Sequence, residues 1–164
     1  MNVQSVASYL ETGRDFIIRD AILNKASKEK QIIYGARAIN SQVPSYLKKK
    51  TIDYDILTNK PKKVAKDLAL ELNARIGRNE FKVVHAKHKG TFKVKDSKDN
   101  TIVDYTQLKR TPKVNKSWGN NYKKLSSIKT HIKKSLGKKD NEFRREKDLD
   151  ALNRIEMSEK TFDF

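Results

Sequence analysis

The chain has 164 residues, enough for one domain with its own core, and its 37 Lys and Arg against 20 Asp and Glu give a formal net charge of +17. Such a field favours polyanionic partners, namely nucleic acid, nucleotides or an anionic membrane surface. Because the chain has no cysteine and no apolar run approaching a membrane span, disulfides, thiolate metal sites and a transmembrane helix are excluded, and we expect one soluble intracellular domain over residues 1–164.

The first part of the chain predicts helices separated by a short strand. Apolar residues at helical spacing indicate one or two helices over residues 3–26. A short apolar strand over residues 31–34 then ends at Gly35. A helix over residues 36–47 follows, and Pro44 is expected to break it near its end.

The next segment, TIDYDIL, alternates apolar and acidic side chains with period two, which predicts a second strand. The alternation places Asp53 and Asp55 on one face and Ile52, Tyr54 and Ile56 on the other. Two carboxylates side by side in a strongly basic chain indicate either a solvated strand face or a cation site.

A helix with clear end signals comes after this strand. Asn59 is the predicted N-cap, Pro61 lies in the first turn, and Gly77 is the expected stop. Between these signals, four apolar residues recur at four-residue steps, as they do on the core-facing side of a helix: Val64, Leu68, Leu72 and Ile76.

Three strand-like runs follow the helix, over residues 81–85, 90–95 and 101–106. The residues between the last two runs, 96–100, have the composition of a turn. The three runs are therefore expected to lie in the same sheet as the two earlier strands.

The remainder of the chain predicts a loop containing Trp118 and Gly119, followed by helices around residues 125–136 and 141–158. The order of all these elements predicts an α/β (α+β) fold. We expect a mixed sheet of about five strands with helices packed on it and helical segments at both ends.

Asp104 adds a third carboxylate to the strand pattern. In the run over residues 101–106 it shares a face with Ile102, where an isolated acid is costly unless it is paired or bound to a cation. Asp53 and Asp55 lie about 7 Å apart along their strand, at roughly 3.3 Å per residue. Three carboxylates on neighbouring strands suit Mg²⁺ or Mn²⁺, and side chains on this scale can hold two ions for in-line phosphoryl displacement.

The turn after the first strand predicts a matching anion site. Gly35 lets a phosphate approach the backbone, and free N–H groups at the start of the next helix point at it. The Arg37 guanidinium can add a charge-assisted contact. We therefore interpret Gly35, Ala36 and Arg37 as a nucleotide-binding turn.

Together, the segments IIYGA, IDYDI and IVDY resemble the nucleotidyltransferase superfamily of polymerase-β type over roughly residues 31–106. The family pattern is a Gly followed by Gly or Ser, then Asp-x-Asp between apolar residues, then a third Asp between apolar residues. The chain looks closest to small phage- or virus-encoded members and to poly(A)-polymerase-like catalytic domains. The resemblance implies transfer of a nucleoside monophosphate from an NTP to an acceptor, in a host cytoplasm or a virion if the chain is viral.

The resemblance also implies roles for the site residues. Asp53 and Asp55 would be ligands of Mg²⁺ or Mn²⁺, Asp104 would be a ligand and the activator of the acceptor hydroxyl, and Gly35 would hold phosphate. Ala36 departs from the pattern, because the family has Gly or Ser there, and the gap from Gly35 to Asp53 is long. These departures and the short segment after Asp104 favour a second interpretation. The chain would then be a catalytically weak or inactive protein that binds nucleic acid or serves in viral structure or assembly.

The basic segment, residues 107–139, contains no acidic residue, whereas a solvated helix normally mixes both signs. With Tyr105, Trp118 and Tyr122 interleaved, it is typical of a track for RNA or DNA, although Trp118 suits a core position equally well. A membrane is a less favoured partner because the segment lacks a clear apolar face. The predicted nucleic-acid contacts are Lys109, Arg110, Lys113, Lys116, Lys123, Lys124, Lys129, Lys133 and Lys134.

Two other pairs of residues predict no functional site. His85 and His88 are three residues apart, which on a strand means opposite faces, so they do not form a metal pair. Arg144 and Asp148 are four residues apart on a predicted helix, where they form an exposed ion pair.

Overall fold

The computed structural model describes residues 3–161, with side chains from residue 13 onward. In this range, seven strands form one mixed sheet that packs with five α-helices, and none of these helices combines the length and apolar character that crossing a bilayer requires. In chain order the elements are α1 (Val3–Lys28), β1 (Ile32–Tyr34), α2 (Gly35–Gln42), a 3₁₀ turn (Ser45–Leu47), β2 (Tyr54–Thr58), α3 (Pro61–Ile76), β3 (Lys82–His85), β4 (Thr91–Lys95), β5 (Thr101–Gln107), β6 (Val114–Ser117), β7 (Asn120–Lys123), α4 (Leu125–Leu136), a second 3₁₀ turn (Lys139–Arg144) and α5 (Arg145–Thr161).

The strands follow the order β3-β4-β5-β2-β1-β7-β6 across the sheet. The pairs β2–β5 and β1–β7 are parallel and the other neighbours are antiparallel, so the expected mixed sheet is confirmed. The expected number of about five strands is wrong, because residues 114–123 form the β6–β7 hairpin and not a loop. These short polar strands lack apolar alternation, and their formation depends on pairing of β7 with β1, Ile32 opposite Asn121 and Ile33 opposite Tyr122.

Helices α1 and α3 cover one face of the sheet. Their apolar stripes pack against inward side chains of the central strands, and Ile22, Leu68, Leu72, Ile56 and Tyr105 are fully buried there. Burying an aliphatic side chain of this size contributes roughly 1.5–3 kcal/mol, so this layer holds the largest share of the core. The face of the central strands that α1 and α3 do not cover is left for polar side chains.

Helix α3 matches its sequence signals except at the N-cap. Pro61 occupies the first helical position, which makes Lys60 the N-cap, and the prediction of Asn59 is wrong. Gly77 is the C-cap with φ +83°, a left-handed conformation that glycine adopts readily, as predicted. The predicted core stripe is confirmed, with three residues buried and the fourth packed against them: Val64, Leu68, Leu72 and Ile76.

Helices α2, α4 and α5 form a second apolar cluster. Helix α2 ends at Gln42, before the predicted end at residue 47, because the residue preceding a proline is driven out of the helical conformation. That residue, Val43, has φ −114° and ψ 157°, yet it stays buried in the cluster together with Ile39 and Leu47. The other two helices contribute three buried side chains: Ile128, Ile132 and Ile155.

The C-terminal helix begins later than expected, because residues 139–144 form a 3₁₀ turn. The prediction that Arg144 and Asp148 form an exposed ion pair is wrong. The Asp148 side chain is only 8% exposed, and it accepts a 2.9 Å hydrogen bond from Ser135 Oγ. Arg144 Nε lies 3.9 Å away, so Asp148 chiefly joins α5 to the end of α4.

Candidate active site

Four polar side chains lie in one register row across the sheet. Tyr34 of β1 is opposite Asp55 of β2, Asp55 is opposite Asp104 of β5, and Asp104 is opposite Lys93 of β4. Successive strand residues point to opposite faces, and the next residue along β2, Ile56, faces the core beneath α1 and α3. The row therefore projects from the other face of the sheet.

The three acids predicted from the sequence converge on this face. One carboxylate oxygen each from Asp53, Asp55 and Asp104 lies within 4.8 Å of the other two, and all three residues are half-buried. Asp53 precedes β2, which begins at Tyr54, so its side chain joins the other two from outside the strand. Ile52, expected to face inward with Tyr54, is instead 73% exposed, because the strand has not yet begun there.

A glycine turn lies directly against these acids. Gly35 is the first residue of α2, immediately after β1, and has φ +67°. A side chain at this position would collide with the Asp55 carboxylate, and the positive φ disfavours any other residue. Tyr34, the N-cap of α2, makes no side-chain capping bond, so the N–H groups of the first turn have no side-chain cap. Ala36 is the second residue of that turn.

Arg37 fixes the backbone that carries Asp53. Its Nε donates to the Asp53 carbonyl at 3.2 Å, its Nη2 donates to the Ile52 carbonyl at 2.9 Å, and its guanidinium stacks 4.0 Å from the Tyr54 ring. Hydrogen bonds from a charged donor are among the stronger ones in proteins. In this structure Arg37 therefore positions Asp53 through the main chain. Its guanidinium is engaged by two carbonyls and the Tyr54 ring of the protein itself.

The electrostatics of the site centre on Asp55. Burial, followed by the nearby carboxylates of Asp53 and Asp104, raises the pKa of Asp55 to about 7, and the positive charges of Arg144 and Lys93 oppose that shift. A carboxylate held in this way is stabilised in its ionised form by an additional cation. The three acids are half-buried and therefore do not form a fully solvated strand face, and a cation beside them would offset their mutual repulsion.

Two side chains of the row were not foreseen from the sequence. The Tyr34 hydroxyl donates to Thr106 Oγ1 at 3.1 Å, and burial together with the charge of Asp55 raises the pKa of Tyr34 to about 12, so the phenol stays neutral. Lys93 Nζ lies 3.0 Å from Asp104 Oδ1. Neither residue carries a local signal, since only the strand register brings them to the acids.

The three carboxylates fit a hard divalent cation. Mg²⁺ and Mn²⁺ prefer oxygen ligands, and two oxygens bound to one octahedral Mg²⁺ are about 3.0 Å apart when adjacent and about 4.2 Å apart when opposite, from Mg–O distances of roughly 2.1 Å. Small side-chain rotations would bring oxygens that lie within 4.8 Å of one another to these spacings. Asp53, Asp55 and Asp104 are therefore the residues that would hold the ion.

The three aromatic residues in or next to the basic segment occupy different environments. Tyr105 is fully buried in the main core, so the prediction that it stacks on bases is wrong. Trp118 is 99% exposed at the tip of the β6–β7 hairpin, so a core position for it is excluded. Tyr122 is half-buried and contacts both apolar clusters. Trp118 is thus the aromatic residue of the three that is open to a ligand.

The basic residues of the segment also differ in availability. Lys129 binds Glu159, with an Nζ–Oε2 distance of 2.9 Å. Lys123 and Lys124 are half-buried, and burial lowers the pKa of Lys123. The remaining predicted contacts are exposed: Lys109, Arg110, Lys113, Lys116, Lys133 and Lys134.

The mixed sheet packed with helices, with a glycine turn at a strand-to-helix junction and three acids beside it, is the arrangement expected from the resemblance to nucleotidyltransferases. Comparison with solved structures confirms this fold: the crystal structure of the Megavirus polyadenylate synthase matches with a TM-score of 0.72 and 18% sequence identity, over 92% of this chain and 32% of that one. The JHP933 protein from Helicobacter pylori matches with a TM-score of 0.46 and 18% identity, over 82% of this chain and 61% of that one. The chain thus spans about a third of the length of the Megavirus protein. No protein-family model matches the chain, and no curated protein matches it significantly.

Proposed function

We propose that the protein is a divalent-metal-dependent nucleotidyltransferase that moves a nucleoside monophosphate from an NTP to an acceptor hydroxyl. The observation that carries this proposal is the convergence of three carboxylates beside the Gly35 turn. The Megavirus polyadenylate synthase shares the fold. Its name supports the end of an RNA chain as the acceptor class to test first.

Each acid has a distinct part in the proposed reaction. Asp53 and Asp55, with Asp104 as a further ligand, would hold the cation, and a bound divalent ion would neutralise the triphosphate and favour ionisation of the acceptor hydroxyl. Asp104 orients that hydroxyl and takes its proton. The acceptor oxygen then forms a bond to the α-phosphorus as the bond from that phosphorus to the bridging oxygen breaks, and pyrophosphate leaves.

The nucleotide-binding turn would hold the triphosphate. Gly35 lets a phosphate lie against the backbone, and the N–H groups at the start of α2 donate to it, a contact that Ala36 provides without a hydroxyl. Arg37 contributes by fixing Asp53 through two main-chain carbonyls. A phosphate held here lies beside the carboxylate of Asp55, one of the residues that would hold the cation.

A nucleic-acid-binding protein without catalytic activity is the second candidate. Six exposed Lys and Arg side chains of the basic segment and the exposed Trp118 favour nucleic-acid binding whether or not transfer occurs. Ala36 in place of the family's Gly or Ser favours loss of catalysis. The two candidates share a ligand and differ only in whether a phosphodiester bond forms.

A transfer assay separates these candidates. Labelled ATP, GTP, CTP and UTP are incubated with Mg²⁺ or Mn²⁺ and with RNA, DNA or protein acceptors. We expect labelling by wild type, a loss of at least about 100-fold in Asp104→Asn, in line with removal of a general base, and wild-type rates in Asp99→Asn. Asp99 is a matched control because it is an acid of the β4–β5 turn, 73% exposed and paired with Lys95. Absence of transfer with every combination, together with retained nucleic-acid binding, would contradict the proposed transferase and support the second candidate, a nucleic-acid-binding protein without catalytic activity.

A further inference from the structure

Lys93 forms an ion pair with one of the three acids. Its ammonium lies 3.0 Å from Asp104 Oδ1, and the two side chains are 32% and 16% exposed. Asp104 Oδ1 is buried and has no hydrogen-bond partner among the described residues, so its contact with Lys93 is one of charge. The β4–β5 register holds this arrangement, since Lys93 is directly opposite Asp104 and points to the same face. The contact is therefore built into the sheet.

This contact bears directly on how many cations the acids accept. Three ionised carboxylates and one ammonium carry a net charge that a single divalent cation balances. A second divalent ion would need an oxygen of Asp104, where it would meet a positive charge a few ångströms away. Asp53 and Asp55, in contrast, have no cationic side chain within salt-bridge distance among the residues with described side chains, so no ammonium or guanidinium in direct contact competes with an ion for their oxygens.

We propose that Lys93 is a built-in cation that competes with divalent metal for Asp104, so that the nucleotide-free protein binds one ion, on Asp53 and Asp55, and not two. The inference rests on the proposed function, because it concerns the metal site of that reaction. Lys93 is a positioning residue in this account. It holds the Asp104 carboxylate in place and keeps its oxygen from the metal until the ammonium moves away.

The strand that carries Lys93 offers a matched control. Lys95 lies two residues further along β4, beyond a register irregularity between β4 and β5, and its Nζ binds Asp99 Oδ1 of the β4–β5 turn at 3.3 Å. Lys93→Met and Lys95→Met each remove one positive charge from the same strand and leave a side chain of similar length. Only the first variant frees Asp104.

The test is a titration of the nucleotide-free protein with Mn²⁺. Calorimetry and the electron paramagnetic resonance signal of free Mn²⁺ report how many ions bind and how tightly. We expect one bound ion in wild type, Lys93→Arg and Lys95→Met. In Lys93→Met we expect either a second ion or affinity that is tighter by about tenfold or more, the usual scale for groups that act on metal ligands. The double variant Lys93→Met/Asp104→Asn should return to one ion, a reversal that a general change of packing would not produce.

Three results would overturn the proposal. If Lys93→Met and Lys95→Met bind the same number of ions with the same affinity, Lys93 does not compete with the metal for Asp104. The proposed function would be unaffected by that result. Two ions bound by wild type would likewise overturn the proposal and leave the proposed function unaffected. Absence of Mn²⁺ binding in every variant would overturn both the proposal and the metal site itself. Circular dichroism and thermal unfolding confirm that each variant is folded, and Lys93→Gln replaces Lys93→Met if the latter unfolds.

Discussion

Gly35 and Asp55 lie in such close contact that a methyl group on the glycine would collide with the carboxylate of the acid. The contact joins the first residue of α2 to the middle of the row of polar side chains on the sheet. It holds the proposed phosphate-binding backbone beside the proposed metal ligands. The glycine at this position is therefore a condition for the geometry of the whole site.

Gly35→Ala should damage both stability and the site. The left-handed backbone costs about 1–2 kcal/mol for a residue with a Cβ, and displacement of Asp55 adds to that loss. We expect a lower unfolding midpoint and no thermal stabilisation by Mg²⁺ with NTP, measured by differential scanning fluorimetry. Gly13→Ala is the matched control, because Gly13 is within α1 with nothing near its Cβ position, and alanine there should raise helix stability. Unchanged Mg²⁺–NTP stabilisation in Gly35→Ala would contradict the assigned role of the turn.

Asp55→Asn should stabilise the metal-free protein at neutral pH. Because the pKa of Asp55 in the folded state is about 7, against 3.8 as the ordinary value, the folded protein binds more protons than the unfolded chain between about pH 4 and 7. The contribution of the Asp55 side chain to the stability of wild type therefore falls as pH rises through this window and is lowest above pH 7. The free energy of unfolding of Asp55→Asn minus that of wild type should therefore be larger at pH 8 than at pH 4 by on the order of 2–4 kcal/mol, measured by denaturant unfolding at both pH values.

The same variant should lose its response to metal. Wild type gains about 2.7 kcal/mol at a ligand concentration a hundred times the dissociation constant, and Asp55→Asn should gain almost none of it. Asp99→Asn serves as the control for both measurements, because that acid is exposed in a turn. If Asp55→Asn lowers stability and wild type shows no shift with Mg²⁺ and NTP, the acids have a structural role.

Charge reversal in the basic segment should weaken nucleic-acid binding. The exposed residues Lys113, Lys116, Lys133 and Lys134 are the positions to change to Glu, because they make no ion pair among the described residues and Lys123 is half-buried. For every lysine that binds a phosphate in wild type, the reversal should reduce the slope of log K against log salt by roughly 0.7–0.9, measured by fluorescence anisotropy from low to moderate salt.

A second fourfold variant controls for net charge. It reverses the exposed residues Lys62, Lys66, Lys87 and Lys98, which lie outside the basic segment. Both variants change the formal charge equally, so a simple loss of overall field would weaken binding equally in both. Equal weakening would show that the basic segment is no special track, whereas a larger effect in the first variant would assign nucleic-acid binding to that segment.

Trp118 gives a direct optical test of base stacking. It is the single tryptophan of the chain, and it is 99% exposed at the hairpin tip. Single-stranded RNA or DNA should therefore quench its fluorescence and shift the emission to shorter wavelength, with an affinity loss of about 1–3 kcal/mol in Trp118→Ala. The unfolding midpoint should not change, because no packing is removed. An emission spectrum that does not respond to saturating nucleic acid would exclude Trp118 from the interface.

Much of this arrangement is determined by local sequence. The period-two alternation of TIDYDIL separates Asp55 from Ile56, and the four-residue spacing of α3 specifies its buried stripe. Gly35 at the end of an apolar run marks the turn that the structure places against the acids. These predictions succeed because they depend on backbone periodicity and on the conformational preferences of single residues.

Only the tertiary structure decided which distant residues meet. Lys93 and Tyr34 carry no local signal, and the register of β4, β5, β2 and β1 brings them into line with Asp55 and Asp104. The polar segments β6 and β7 form strands because β7 pairs with β1 and β6 pairs with β7. Tyr105 is buried because its strand packs under α1 and α3. Strand pairing depends on contacts between residues far apart in the chain, whose stabilisation arises only when the sheet and its helices assemble. A one-residue slip in register would turn each of these side chains to the opposite face.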